Sequence, residues 1–323
     1  MSDVTTSSKP LGGTELILAN LQEALPELTS QVQIMMSRPE TYTFEDRPRI
    51  LWCQDLPQDP AVAMLKDQSY RTKFNHIVFV SHWQQQQYNM YLGIPYSEGA
   101  VIKNGVPYRE AVFPKPDVEG EDKLKFIYTS TPHRGLAILG AAAEMLAKER
   151  EDWELHVYSS LNIYGWHEQD KEFEPLYDIL RKNPHIIYHG TQSNADVRQA
   201  LDEAHVFVYP SVYAETSCMA VQEAMMAGCL VITSNYGALP ETCAEWSWMF
   251  SYDERPEAMI VNTVGRMREA LDTYGSKHTE YTLRAQSNYY QQFYSFESRI
   301  PTWKSLLQSA IKKGTPIEML VIE

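Results

Sequence analysis

The chain has 323 residues, 44% of them hydrophobic, and a formal net charge of −14. That length suits two ordinary globular domains, each able to bury a core. The acidic balance excludes a basic nucleic-acid stripe and leaves at most weak peripheral contact with anionic lipid.

No apolar run approaches the ~20 residues of a membrane span. The first ten residues lack the apolar segment of a signal peptide. Cys53, Cys218, Cys229 and Cys243 show no metal-ligand spacing, so free thiols in a reducing cytoplasm are expected.

In chain order, the segment up to Lys9 is polar and does not read as a strand. Gly12 and Gly13 then open a helix, with Thr14 as its cap and Leu16, Ile17, Leu21, Ala24 and Leu25 at helical spacing. A Gly-Gly turn lets backbone approach a phosphate. Gln31 to Met36 and Arg49 to Cys53 read as strands. Gln54 and Asp55 follow the second strand, where open α/β sheets bind ligands. Asp55 reads equally well as a turn residue before Pro57. His76 to Ser81 is a buried-type strand and His82 to Leu92 a helix, which puts Ser81 and His82 at another strand end. Residues 107 to 122 carry three prolines and a cluster of acids, and read as an interdomain linker.

The second half opens with a strand, Leu124 to Thr129. A loop holding His133, Arg134 and Gly135 leads into an amphipathic helix. Trp153 to Ser159 is the next strand. The loop after it carries Tyr164, Trp166 and His167, whose rings either stack on a ligand or simply pack. His185 to His189 is a strand ending at Gly190, and a helix over 196–204 leads on.

The stretch from His205 to Glu245 is the most informative. His205 to Tyr209 is a buried strand closed by Pro210 and Ser211. After a short loop, Thr216 or Ser217 is the expected cap of a helix over about 218–227. Gly228 ends it, and Cys229 to Thr233 is a second buried strand. Glu215 sits at the helix mouth and Glu223 within the helix, seven residues between them. Glu223 falls on a stripe of alanines and needs a partner. Eight helical residues rise about 12 Å, roughly the span from the sugar of a nucleotide sugar to its ribose. The helix N-terminus suits phosphate, and carboxylates accept from sugar hydroxyls. The plain alternative is one loop glutamate and one structural glutamate held by an arginine.

These residues resemble glycosyltransferase family 4, a retaining family with the GT-B fold. Its E-x7-E motif matches Glu215 and Glu223. The preceding F-V-x-P-S matches Phe207 to Ser211, and the following S-x-x-G-x-x-P-E matches Ser234, Gly237, Pro240 and Glu241. The resemblance implies two Rossmann-like, doubly wound parallel-sheet domains facing across a cleft. The expected ranges are an acceptor-side domain over 1–115, a nucleotide-sugar domain over 116–300, and a last helix over 301–323 crossing back to the first domain. It also implies a hexosyltransferase-class enzyme in the cytoplasm, moving a sugar from a UDP- or GDP-type donor to a glycan, lipid or protein-linked hydroxyl. No metal and no cofactor is implied, and no D-x-D occurs.

By the same resemblance, Glu215 holds sugar hydroxyls with help from the backbone N–H groups of Thr216, Ser217, Cys218 and Met219. Glu223 holds the ribose, and the nucleobase packs near Gly190. Gly12, Gly13 and Arg134 stabilise the diphosphate, and Asp55 and His82 line the cleft. The family has two cations in the loop after the first strand of this domain. Here Thr129 stands in the place of the first, with His133 as a helper to Arg134. That departure, together with Gln54 in the place of a family histidine, keeps a second hypothesis open: a degenerate GT-B module that binds nucleotide or glycan without catalysis.

Overall fold

The computed structural model describes residues 13–115 and 123–316. Gly12 and the polar segment before it lie outside that range. The described chain forms two compact units. One comprises Gly13–Gly105 with the segment from Tyr294 onward, and the other Val106–Phe293.

The smaller unit holds four strands: β1 (Gln33–Met36), β2 (Arg49–Trp52), β3 (His76–Phe79) and β4 (Gly99–Val101). They are parallel and pair in chain order. Every residue of β2 is buried, which is why it reads as a continuous apolar run. Helix α1 (Gly13–Ala24) begins before Thr14, so Thr14 lies in its first turn and is not its cap. Helix α2 (His82–Leu92) is capped by Ser81, whose hydroxyl accepts from the Gln84 N–H at 3.0 Å. The last helix, Ile300–Lys313, belongs to this unit. Its Trp303 packs on Trp52 of β2 with ring centroids 4.3 Å apart.

The larger unit holds six parallel strands: β5 (Leu124–Tyr128), β6 (Trp153–Val157), β7 (Ile186–Tyr188), β8 (Val206–Tyr209), β9 (Leu230–Ser234) and β10 (Trp248–Phe250). Their order is β10-β9-β8-β5-β6-β7. The chain lays β5, β6 and β7 outward in one direction. It returns through α3 (Asn194–Glu203) to start β8 against β5, then winds outward the other way. This is a doubly wound sheet whose topological switch point falls between β5 and β8. Strands β8 and β9 are buried at every position, as the apolar runs predict.

The stretch over 107–115 is not a loose tether. Lys115 is buried and donates to the carbonyls of Leu201 (3.0 Å), Asp202 (3.1 Å) and Ala227 (2.6 Å). These are C-terminal carbonyls of two helices, groups that have no partner within their own helix; the Leu201 carbonyl also accepts from the Cys229 thiol at 3.3 Å. Phe113 covers Gly228 so closely that a side chain there has no room.

Candidate active site

Two loops meet at the switch point of the larger sheet. The first follows β5 and makes a short turn, Pro132–Arg134, ending at Gly135. Gly135 has φ +133°, and a Cβ there would run into the Pro210 carbonyl. The Val212 N–H donates to the Arg134 carbonyl at 3.2 Å, which ties the loop after β8 to the loop after β5. This close approach sets Arg134 against Glu215. Arg134 Nη1 lies 2.6 Å from Glu215 Oε1, and the Tyr209 hydroxyl donates to the same oxygen at 2.5 Å.

Glu215 is only 3% exposed. A carboxylate that deep requires compensation, and Arg134 and Tyr209 supply it. The Arg134 guanidinium also lies over the Tyr213 ring, 4.5 Å from its centroid. Burial, the largest single influence, works against the arginine's charge, but Glu215 together with Tyr209, Tyr164 and Cys218 outweighs it and holds the pKa well above the ordinary arginine value. His133 behaves differently. Burial, and then Arg134, pull its pKa below the usual histidine value, so it is neutral at pH 7. The expected helper therefore adds no second cation at that pH.

The turn after β9 grips Glu215 from the other side. Gly237 has φ +66°, and a Cβ there would lie 2.5 Å from the Glu215 nitrogen and 2.6 Å from its carbonyl oxygen. The Ala238 N–H donates to that carbonyl at 2.7 Å. The glycine of the S-x-x-G pattern is thus required by backbone contact with Glu215.

Helix α4 (Met219–Met226) starts later than the sequence suggests. Its N-cap is Cys218, not Thr216 or Ser217, and no side chain caps it. Cys218 itself is buried. Glu215 accordingly precedes the helix, and the unbroken two-turn helical ruler between Glu215 and Glu223 is corrected. Glu223, one turn into α4, meets Arg198 of α3, with Nε to Oε1 at 3.1 Å. For Glu223 the structure thus shows the arginine partner of the plain alternative, on the neighbouring helix.

The other expected residues fall in two groups. Gly190 follows β7 with φ +66°, two strands along the sheet from β5. Gly13, Asp55 and His82 belong to the smaller unit. Gly13 is the first described residue of α1, and His82 is an exposed first residue of α2. The Asp55 carboxylate lies 3.9 Å from Arg38, while its peptide carbonyl accepts from Gln84 at 2.8 Å and from the Tyr88 hydroxyl at 3.2 Å. Sequence reasoning missed Tyr209 and Tyr213. The usable signal was Tyr209 at the end of a buried strand, where its hydroxyl must find a partner. Among the described residues, no group of three or more His, Cys, Asp or Glu is placed to hold a metal ion, and no helix is long and apolar enough to cross a membrane.

Residues 109–266 match the Glycosyl transferases group 1 family. That range contains Arg134, Glu215, Glu223 and Gly237. No curated protein sequence matches the chain. Among solved structures, it is similar to a glycosyltransferase from Rickettsia africae ESF-5, at 14% identity and TM-score 0.66, over 92% of this chain and 82% of that one. It is also similar to a sucrose-phosphate synthase from Thermosynechococcus elongatus, at 14% identity and TM-score 0.66, over 93% of this chain and 79% of that one. A third is the trehalose-6-phosphate structure from E. coli bound with UDP-2-fluoro glucose, at 10% identity and TM-score 0.65, over 91% and 78% of the two chains. The fold is therefore GT-B, built from two parallel-sheet α/β domains. The domain over 109–266 gives the enzyme its class, glycosyltransferase.

Proposed function

We propose that the chain is a retaining glycosyltransferase that moves a sugar from a UDP- or GDP-type donor to an acceptor hydroxyl without a metal ion. The observation that carries this reading is the meeting of Arg134 and Glu215 at the switch point of a parallel sheet. Ligands of such sheets bind at that point, beyond the strands' carboxyl ends. Glu215 accepts hydroxyls of the sugar, with the N–H groups of Thr216 to Met219 beside it. Arg134 takes the charge that builds on the departing diphosphate. Glu223, positioned by Arg198, takes the ribose hydroxyls, and Gly190 lies toward the base.

The acceptor oxygen bonds to the anomeric carbon on the face that the diphosphate leaves, and its proton passes to the departing phosphate oxygen. No protein nucleophile takes part. A cytoplasmic setting fits the four free, buried thiols.

The test is a panel of UDP- and GDP-sugars, with and without EDTA, followed by NMR of the product anomer. Expected are nucleotide release that survives EDTA and a product of unchanged anomeric configuration. An inverted product or a strict Mg²⁺ requirement overturns the corresponding part. Binding of donors with no transfer or hydrolysis would support the second reading, a non-catalytic nucleotide-binding module. That reading is favoured by Thr129 in the place of a cation and by a neutral His133 beside Arg134.

A further inference from the structure

Two donors reach the Glu215 side chain from two different strands of the larger sheet, and both take the same oxygen. Arg134 Nη1 lies 2.6 Å from Oε1, and the Tyr209 hydroxyl donates to Oε1 at 2.5 Å. A carboxylate oxygen carries two lone pairs, so Oε1 is filled. None of the described residues donates to Oε2. The carboxylate is divided: one oxygen is committed to the protein, and the other has no protein donor. Tyr209 is the fixed half of this arrangement. It is the last residue of β8 and is fully buried. Its ring packs against Tyr128 of β5 with centroids 5.9 Å apart, and its carbonyl accepts from the Thr233 hydroxyl of β9 at 2.7 Å. Pairing with the strands on both sides therefore sets where the hydroxyl lies. Burial, and then Glu215, raise its pKa well above the ordinary tyrosine value, so the hydroxyl keeps its proton and stays a donor at neutral pH. Arg134 stands in a loop instead, with a quarter of its side chain exposed.

We propose that Tyr209 is a positioning residue of the transfer reaction: its hydroxyl fixes the plane of the Glu215 carboxylate, so that the donor sugar is met by Oε2 alone. The proposal rests on the reading of Glu215 as the group that takes the sugar. The terminal torsion of a glutamate is broad and nearly two-fold, so a single donor leaves the carboxylate free to swing about it. A second donor on the same oxygen removes that freedom before the sugar arrives, which lowers the entropic cost of binding. A carboxylate held this way does not span two neighbouring hydroxyls with its two oxygens. It grips the sugar through one. Tyr209, buried behind Glu215, acts only through it.

The test is calorimetry on the full chain with UDP-glucose, UDP-N-acetylglucosamine and GDP-mannose beside free UDP and GDP. The proteins are wild type, Tyr209→Phe, Glu215→Gln and the double variant. Tyr209→Phe keeps the ring and its packing, and Oε1 keeps Arg134 as a donor, so the variant folds. It should bind the best of the donors about tenfold more weakly, with affinity for the free diphosphate unchanged. In the Glu215→Gln background the same change should cost the donor no further affinity, because the group that Tyr209 positions is gone. Undiminished donor affinity in Tyr209→Phe overturns the proposal. So does an equal loss for the free diphosphate, which would mean that the hydroxyl supports Arg134 and not the sugar's partner. Losses that add in the double variant overturn it too, since Tyr209 would then act apart from Glu215. If Glu215→Gln leaves donor binding intact, or wild type binds none of these ligands, the reading of Glu215 itself fails and the proposal falls with it. A loss in Glu215→Gln without one in Tyr209→Phe removes the proposal alone.

Discussion

Arg134 and Glu215 are 81 residues apart in the chain, and their charged groups lie 2.6 Å apart. They follow β5 and β8, which become neighbours only because the chain crosses back between them. The pair keeps a buried carboxylate compensated. In the proposed reading it also sets, at the sheet's switch point, an acceptor for sugar hydroxyls beside a donor for the diphosphate. The same contact therefore bears on stability and on turnover, and the two can be separated.

Glu215→Gln retains an acceptor for Tyr209 and Arg134 and should fold. Its turnover should fall by about 10²–10³, the usual effect of removing one charge-stabilising group. Arg134→Ala should lose similar activity and also about 1–3 kcal/mol of stability. That is less than the ~3–5 of a fully buried pair, because a quarter of the Arg134 side chain remains exposed. Thermal melts beside steady-state assays check both. Wild-type turnover in either variant counts against the assignment.

Glycine substitutions near the site should sort by space rather than by φ alone. Gly237→Ala places a methyl 2.5 Å from the Glu215 nitrogen, while Gly165→Ala, at φ +73°, meets nothing within 4 Å. The second should cost about 1–2 kcal/mol for the left-handed conformation. The first should cost more and should also depress turnover, since it pushes the Glu215 backbone. Equal effects from the two, measured by melts and initial rates, would show that the contact with Glu215 is inconsequential.

Glu223 should matter for the ribose and not for the sugar. Glu223→Gln is expected to raise the donor KM with little change in kcat, the pattern of lost uniform binding. The penalty should shrink when the donor carries a 2′-deoxyribose. A mutant that loses affinity equally for both donors would assign Glu223 a purely structural pairing with Arg198.

Acid should weaken the fold through histidine before carboxylates titrate. His76, His133 and His189 all have lowered pKa values. Burial is the first cause in each, followed by Lys313 for His76, Arg134 for His133, and His156 with Lys125 for His189. Unfolded histidine titrates near pH 6.5, so below that pH the unfolded chain binds more protons. Stability is fully present above about pH 6.5 and declines as pH falls toward the folded values. The thermal midpoint should drop between about pH 6.5 and 5, and less steeply in His189→Gln. A midpoint that climbs on acidification across that window contradicts the sign.

Much of the fold was legible because its strands are buried on both faces. Parallel strands such as β8 and β9 must be apolar throughout, so they stand out in the chain. Strands β4 and β10, three residues each and mostly half-buried, carry no buried apolar run to mark them, and the equally short β7 was legible only as part of the longer run His185 to His189. The cap of α4 was misplaced because Thr216 and Ser217 offer capping hydroxyls, yet Cys218 takes that position without a side-chain cap. Lys115 looked like part of a tether because a lysine among prolines and acids gives no hint of the three carbonyls that hold it.

The sequence by itself determined the chemistry available: Glu223 in an apolar setting that demanded a partner, Glu215 at a helix mouth, an arginine in a loop. Only the tertiary structure decided that the partner of Glu215 is Arg134. Strand order is non-local, and no local pattern records which strand ends will be neighbours once the chain has crossed back.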